Sequence, residues 1–152
     1  MDRREVLKAG GGVLALALAA GILEPEDALA ADWNKAAFGT KSVADTVKAL
    51  GGGGSTESAA IKLTSPDIAE NGAVVPVSVE SRLPKTQMIA ILVEKNPNTL
   101  SADFEIPEGT DPFVTTRVKM AETSNIYALV KADGKYYHAA KETKVTIGGC
   151  GG

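Results

Sequence analysis

Residues 126–147 read IYALVKADGKYYHAAKETKVTI, and the pair Asp133-Gly134 near their middle decides how they fold. Asp-Gly between two runs rich in β-branched and aromatic residues is a hairpin signal, because a two-residue type I′ turn needs positive φ at both central positions. The sequence therefore predicts antiparallel strands in IYALVKA from Ile126 and KYYHAAK from Lys135, with KVTI from Lys144 read as one more. Similar runs precede them: IKLTS from Ile61, AVVPVSVES from Ala73, QMIAILVE from Gln87, LSADFEI from Leu100 and FVTTRVKMA from Phe113. Pro, Gly and Asn punctuate the series. Alternation is clean in several of these: Val75, Val77 and Val79 share a face, as do Val114, Thr116, Val118 and Met120, while Arg117 and Lys119 point the other way. One buried and one wet face per strand, with no long helix, predicts an all-β, immunoglobulin-like antiparallel sandwich over residues 56–147. The Trp-Cys pattern of antibody domains is absent, and Trp33 precedes the strands.

Upstream, SVADTVKAL from Ser42 places Val43, Val47 and Leu50 on one helical face, and Ser42 can cap the first turn with Asp45 three residues on. A short amphipathic helix is expected. It runs into GGGGS, Gly51 to Ser55, read as a helix C-cap and connector, so that residues 31–55 form a helix and glycine-rich connector ahead of the sandwich. The chain of 152 residues is 44% apolar and 23% charged, which suits one modest core. A net charge of -3 without a basic run gives no basis for nucleic-acid binding.

Residues 1–30 read as an export signal. Arg3 and Arg4 lead an apolar run from about Val13 to Leu23, and Ala28-Leu29-Ala30 supplies a small-x-small cleavage pattern. The run is far shorter than the roughly 20 residues that span a bilayer, so a retained membrane anchor is not expected. Arg3-Arg4 followed by Glu5, Val6, Leu7 and Lys8 resembles the twin-arginine motif, with Asp2 where Ser or Thr is usual and Val6 in place of Phe. Periplasmic export by that route, with cleavage near Ala30, is expected. Its cargo crosses already folded, because of a cofactor inserted inside or a partner carried along. Cys150 and His138 are the chain's single Cys and single His, too few for a self-contained metal site, so no cofactor is expected and a passenger partner is the better inference.

The C-terminus reads TIGGCGG. Cys150 lies between Gly148, Gly149 and Gly151, Gly152, on a flexible arm at residues 148–152. From Ile147 to Cys150 an extended chain reaches about 10 Å. Glycine neighbours leave the sulfur accessible inside a narrow cleft, but a group meant to be held still for catalysis would not be built on them. A thiol of ordinary pKa, near 8.5, is about 3% thiolate at pH 7, and nothing in GGCGG supplies a cation to lower it. Activation is expected from an enzyme that receives the arm, with Cys150 as a covalent attachment point and not a catalytic nucleophile.

The twin-arginine-like leader, NPN at Asn96 to Asn98, the run TRVKMAETSNIYALVKADGKYYHAAKETKVTIGGCGG from Thr116, and above all its last five residues together resemble the SoxY family, sulfur-carrier subunits of the periplasmic Sox thiosulfate-oxidising system. The resemblance implies an immunoglobulin-like carrier, itself not an enzyme, whose substrate rides on Cys150. It also implies a SoxZ-like partner subunit in a heterodimer, which fits the passenger inferred above. A c-type cytochrome that joins thiosulfate to the thiol, a metallohydrolase that releases sulfate and a sulfane dehydrogenase complete the implied partners.

Other readings stand beside this one. An odd exported cysteine can pair between molecules, so a Cys150 disulfide-linked dimer is a possible side state. The terminal Gly-Gly invites comparison with ubiquitin-like carriers that form a thiocarboxylate, although that fold needs a substantial helix across its sheet. An immunoglobulin-like binding module with an idle cysteine is the third. His138 reads as a half-buried strand histidine, Tyr136 and Tyr137 as packing residues, and Asp103, Glu105, Glu108 and Asp111 as a solvated acidic stretch.

Overall fold

A computed structural model describes residues 34–146, which form two short helices and nine strands. The helices are α1 (Lys35–Phe38) and α2 (Val43–Ala49). The strands are β1 (Thr56–Glu57), β2 (Ile61–Thr64), β3 (Ile68–Ala69), β4 (Val75–Ser81), β5 (Thr86–Val93), β6 (Leu100–Glu105), β7 (Phe113–Val118), β8 (Ser124–Ala132) and β9 (Lys135–Val145). One sheet runs β1-β9-β8-β5-β6, with β3 also on β9; the other is β2-β4-β7. The expected immunoglobulin-like sandwich is the observed architecture.

The opening hairpin forms as its turn chemistry requires. Asp133 and Gly134 take φ of 48° and 74°, and Ala132 faces Lys135 at the start of a ladder that runs to Ser124 opposite Thr143. KYYHAAK and KVTI are not two strands, however. Nothing between them breaks the chain, and they join into the eleven-residue β9, paired with β8 from Lys135 to Thr143 and, on its other side, at Tyr137, His138, Lys144 and Val145. The two-residue strands β1 and β3 escape sequence patterning because they are too short to show a period. Both pair with β9 in parallel, Thr56 opposite Tyr137 and Ile68 opposite Lys144, so the sandwich is antiparallel except along this edge. Covering an outer edge in this way removes a template for unwanted strand addition.

Alternation of one buried and one wet face holds for β4, where Val75, Val77 and Val79 are buried and Pro76 is exposed. It fails for β5, buried from Met88 to Val93, and in β8 at Leu129, which is buried between buried Ala128 and Val130. The reason is a second core. Ile89, Ile91, Val93, Ile126, Ala128 and Val130 face the three-stranded sheet, whereas Met88, Ala90, Leu92 and Leu129 face outward and are roofed by Ala37 and Val47 of the helices. Burying a Leu or Ile side chain is worth about 1.5–3 kcal/mol, so helices of four and seven residues, too short to persist alone, are held by this face.

Helix α2 begins as its sequence indicates: the Ser42 hydroxyl accepts the Asp45 amide at 3.1 Å and donates to Asp45 Oδ2 at 2.7 Å. At its end Gly51 has φ of 93°. A Cβ on Gly52 would fall 2.8 Å from both Tyr136 Cδ2 and Val47 Cγ1. The glycine run is thus partly a packing requirement. Helix α1, not expected from the sequence, is a single turn capped by Asn34, whose Oδ1 accepts the Ala37 amide at 3.1 Å.

Candidate functional site

The predicted site residues Cys150, Gly148, Gly149, Gly151 and Gly152, and the signal residues Arg3 and Arg4, lie outside the described residues. What the structure defines is the end of β9, from which residues 147–152 continue. β9 delivers the chain to Thr146, and the segment β3 belongs to locks the delivery point. Lys144 N–H donates to Asp67 O at 3.0 Å, Thr146 N–H to Ala69 O at 3.1 Å, and the Thr146 hydroxyl reaches Glu70 O at 3.4 Å. From the opposite side Val145 N–H donates to Thr123 Oγ1 at 3.0 Å. Below these, buried Thr143 bonds Ser65 Oγ at 3.0 Å and Pro66 O at 2.9 Å. Three residues separate Thr146 from Cys150, a stretch that spans at most about 14 Å when fully extended.

The loops around that point are also tied down. Asn96, in the NPN segment, donates from Nδ2 to Lys119 O at 2.6 Å and accepts the Ala121 amide at 3.0 Å. This joins the β5–β6 turn to the chain leaving β7. Met120 N–H, on that chain, donates to Gly72 O at 2.7 Å. NPN, noted in the sequence for its resemblance alone, therefore has a structural task at this end of the sandwich.

An open cleft of about 520 Å³ lies at the other end of β9, between Gly51 to Gly54 and Tyr136 and Tyr137. From Tyr137 to Thr146 a strand rises about 30 Å, and the six residues after Thr146 reach at most about 20 Å. The Tyr136 hydroxyl donates to Leu50 O, and its ring is roofed by Lys131 Nζ at 5.7 Å. His138 is half-buried on β9, with Nδ1 2.9 Å from Ser55 Oγ and its ring 5.9 Å from that of Tyr127. Among the described residues no three metal-ligating side chains converge, and no helix is long and apolar enough to cross a membrane.

One acidic residue departs from the solvated loop expected of it. Asp103 is half-buried on β6, its Oδ1 shielded from solvent without a hydrogen-bond partner. Desolvation first, and then the charge of Glu105 two residues along the same face, raise its pKa above the ordinary carboxylate value; a hydrogen bond from the Phe104 backbone only partly offsets them. Burial, with Glu94 adding to it, likewise raises the pKa of Tyr127.

Fold and sequence together define a class: an immunoglobulin-like module that ends in a glycine-flanked thiol a few residues beyond its last strand. Within it, the chain belongs to the SoxY family, whose model, described as sulfur oxidation protein SoxY, matches residues 47–150. Among solved structures it is similar to the sulfur carrier protein SoxY from Chlorobium limicola f thiosulfatophilum, with 40% identity over 68% of this chain and 96% of that one and a TM-score of 0.60. Two superoxide reductase (neelaredoxin) structures from Ignicoccus hospitalis, one of them a point variant, share the fold alone. Both have 20% identity and a TM-score of 0.51, over 57% of this chain and 80% of that one, and over 59% and 82% for the variant. No curated protein sequence matches the chain.

Proposed function

We propose that this protein is a periplasmic covalent carrier of sulfur intermediates in thiosulfate oxidation, with Cys150 as the attachment point and Gly148, Gly149, Gly151 and Gly152 as the arm that presents it. The observation that carries this reading is the family match, which runs up to and ends at Cys150. The similarity to a structure named as a sulfur carrier supports it. So does the anchoring of Val145 and Thr146 on opposite sides of the strand end, which gives a short arm a defined origin.

In the proposed cycle the Cys150 thiol and thiosulfate lose two electrons to a c-type cytochrome and one proton to solvent, forming a disulfide bond to a sulfonate-terminated adduct. A metallohydrolase then adds water across the outer sulfur–sulfur bond. Sulfate leaves with two protons, and a persulfide anion stays on Cys150 for a sulfane dehydrogenase to oxidise. The carrier supplies no acid, base or metal. Its contributions are the bond to sulfur and the geometry of delivery. Export through the twin-arginine route, by Arg3 and Arg4, would bring a SoxZ-like partner subunit across as a folded heterodimer.

Intact mass spectrometry of protein from thiosulfate-grown cells, with and without reductant, tests the reading. Reductant-sensitive adducts of about 112 Da for thiosulfate, or multiples of about 32 Da for sulfane sulfur, are expected on the wild type and absent from Cys150→Ser. A bare thiol under every turnover condition would instead make the chain a binding module with an idle cysteine.

A further inference from the structure

We infer that Asn71 is a site of spontaneous covalent modification, at which the Gly72 nitrogen closes on the Asn71 side-chain amide, ammonia leaves, and the ring re-opens mainly as isoaspartate. The site lies in the segment that holds the end of β9, and the inference stands independently of the carrier reading above.

Of the five asparagines in the chain, Asn71 alone precedes a glycine. Ring closure requires the next residue's main-chain nitrogen to approach the side-chain carbon and to lose its proton. Gly72, with no Cβ, leaves that approach open. Lys35, Thr99 and Ile126, which follow Asn34, Asn98 and Asn125, carry side chains that crowd it, and Pro97 after Asn96 has no proton to lose. The fold adds to the sequence here. Asn71 is exposed, and its Oδ1 accepts the Ala73 amide at 2.9 Å, which folds the carboxamide back over the Gly72 peptide. That oxygen gains negative charge when the nitrogen attacks, so the Ala73 N–H is a donor already aimed at the developing oxyanion. Gly72 is buried and its carbonyl accepts the Met120 amide at 2.7 Å, but its own N–H has no acceptor among the described residues. Asp133-Gly134 has the composition to close the same ring; there the Gly134 amide is engaged by Gln87 Oε1 at 3.0 Å and the pair is fixed in the hairpin turn.

The reaction needs neither a cofactor nor a redox partner. Gly72 N gives its proton to solvent base and bonds Asn71 Cγ. The Cγ–Nδ2 bond then breaks, and ammonia leaves with a proton taken from water, so that a five-membered succinimide remains. Water opens the ring at either carbonyl. Attack at the side-chain carbonyl gives aspartate, whereas attack at the main-chain carbonyl leaves the chain running through the side chain as isoaspartate. Either product adds a negative charge and about 1 Da. Only isoaspartate lengthens the main chain, by one methylene and about 1.5 Å of bond. Residue 71 lies between two attachments, Ala69 O accepting the Thr146 amide at 3.1 Å and Gly72 O accepting the Met120 amide at 2.7 Å. An atom inserted between them puts the two out of register, so the modification loosens the hold on the end of β9.

The test ages the purified protein at mildly alkaline pH, folded and in urea, and maps its tryptic peptides by mass. Residues 63–82, between the cleavage points at Lys62 and Arg82, form one peptide in which Asn71 is the single asparagine and no glutamine occurs. In the folded protein this peptide should gain about 1 Da at a rate within about tenfold of that in urea, since an exposed loop needs little opening, and isoaspartate should exceed aspartate. The gain should be absent from Asn71→Gln, whose longer side chain would have to close a six-membered ring. Asn34, Asn96, Asn98 and Asn125 should stay intact over the same time, and Asp133 should yield no isoaspartate. Hydrogen exchange at Met120 and Thr146 should be at least about fivefold faster in the isoaspartate form than in Asn71→Asp, which carries the same charge on an unaltered main chain. An Asn71 that persists in the folded protein after half of the urea-unfolded chain has converted, or another asparagine converting as fast, would overturn the site. Equal exchange at Met120 and Thr146 in the two forms would overturn its effect on the end of β9.

Discussion

Gly52 and its neighbours show how differently identical residues can be constrained. Gly52 packs where a Cβ would meet Tyr136 and Val47 at 2.8 Å, whereas a Cβ on Gly53 or Gly54 would meet nothing within 4 Å. Gly52→Ala is expected to cost about 1–3 kcal/mol in urea unfolding by overpacking. Gly53→Ala should be neutral or stabilise by up to about 1 kcal/mol, because it reduces the freedom of the unfolded chain. Asp103 makes a pH-dependent counterpart. Its folded pKa is raised, so the native state binds a proton more tightly than the unfolded one, and stability present below the unfolded pKa is lost as pH rises through the folded value. Asp103→Asn should therefore be more stable than wild type near pH 7 and not below about pH 3.5, by under about 1 kcal/mol, since solvent reaches half of the residue. Thermal melts across that range, with equal shifts at both ends, would refute the assignment. Neither residue's role is visible in sequence. GGGGS looks like a linker until Tyr136 is folded against it, and Asp103 looks like one of several surface acids until β6 lies beside the helix-covered face.

Helix α2 and strand β9 carry the element-scale lesson. The Ser42 cap and the Val43, Val47, Leu50 stripe were legible because capping and helical periodicity are local. At the other end of the helix, local bonds from Gly51 and Gly52 to Lys48 O and Val47 O are joined by one that is not local: Tyr136, 86 residues from Leu50, donates its hydroxyl to the Leu50 carbonyl. Tyr136→Phe should lower stability by about 1 kcal/mol and leave that carbonyl without its donor. Hydrogen exchange should accelerate in the amides of α2 and leave those of β5 unchanged; equal acceleration throughout would mean that the bond serves the whole fold and not the helix end. Likewise the hairpin at Asp133-Gly134 was readable from two residues, but the length of β9 was not. KYYHAAK and KVTI are one strand because β8 pairs with it continuously from Lys135 to Thr143, while β1 and β3 add partners at Tyr137, His138, Lys144 and Val145.

At the scale of the whole molecule, one end of the sandwich holds the arm's anchor and the other the glycine-lined cleft, and about 30 Å of β9 keeps them apart. Chemistry proposed for Cys150 therefore belongs to the anchor end, where β3, the NPN turn and the chain after β7 converge. Co-expression with a SoxZ-like subunit is expected to give a heterodimer on size exclusion that survives reductant; a monomer alone, or a homodimer that reductant dissolves, would count against the proposed partner. The sequence by itself determined the longer strands apart from the full length of β9, the capped helix, the family and the glycine-flanked thiol, because turn chemistry, two-residue alternation, capping and a glycine-cysteine motif are written in neighbouring residues. Only the tertiary structure decided that β5, with Leu129 of β8, is buried on both faces, that Gly52 must lack a side chain, that Asp103 is partly desolvated, and that residues 67–74 clamp Thr146 beside two exposed aliphatics. Each of those depends on contacts between segments far apart in the chain, and no periodicity within one segment records what another will lay against it.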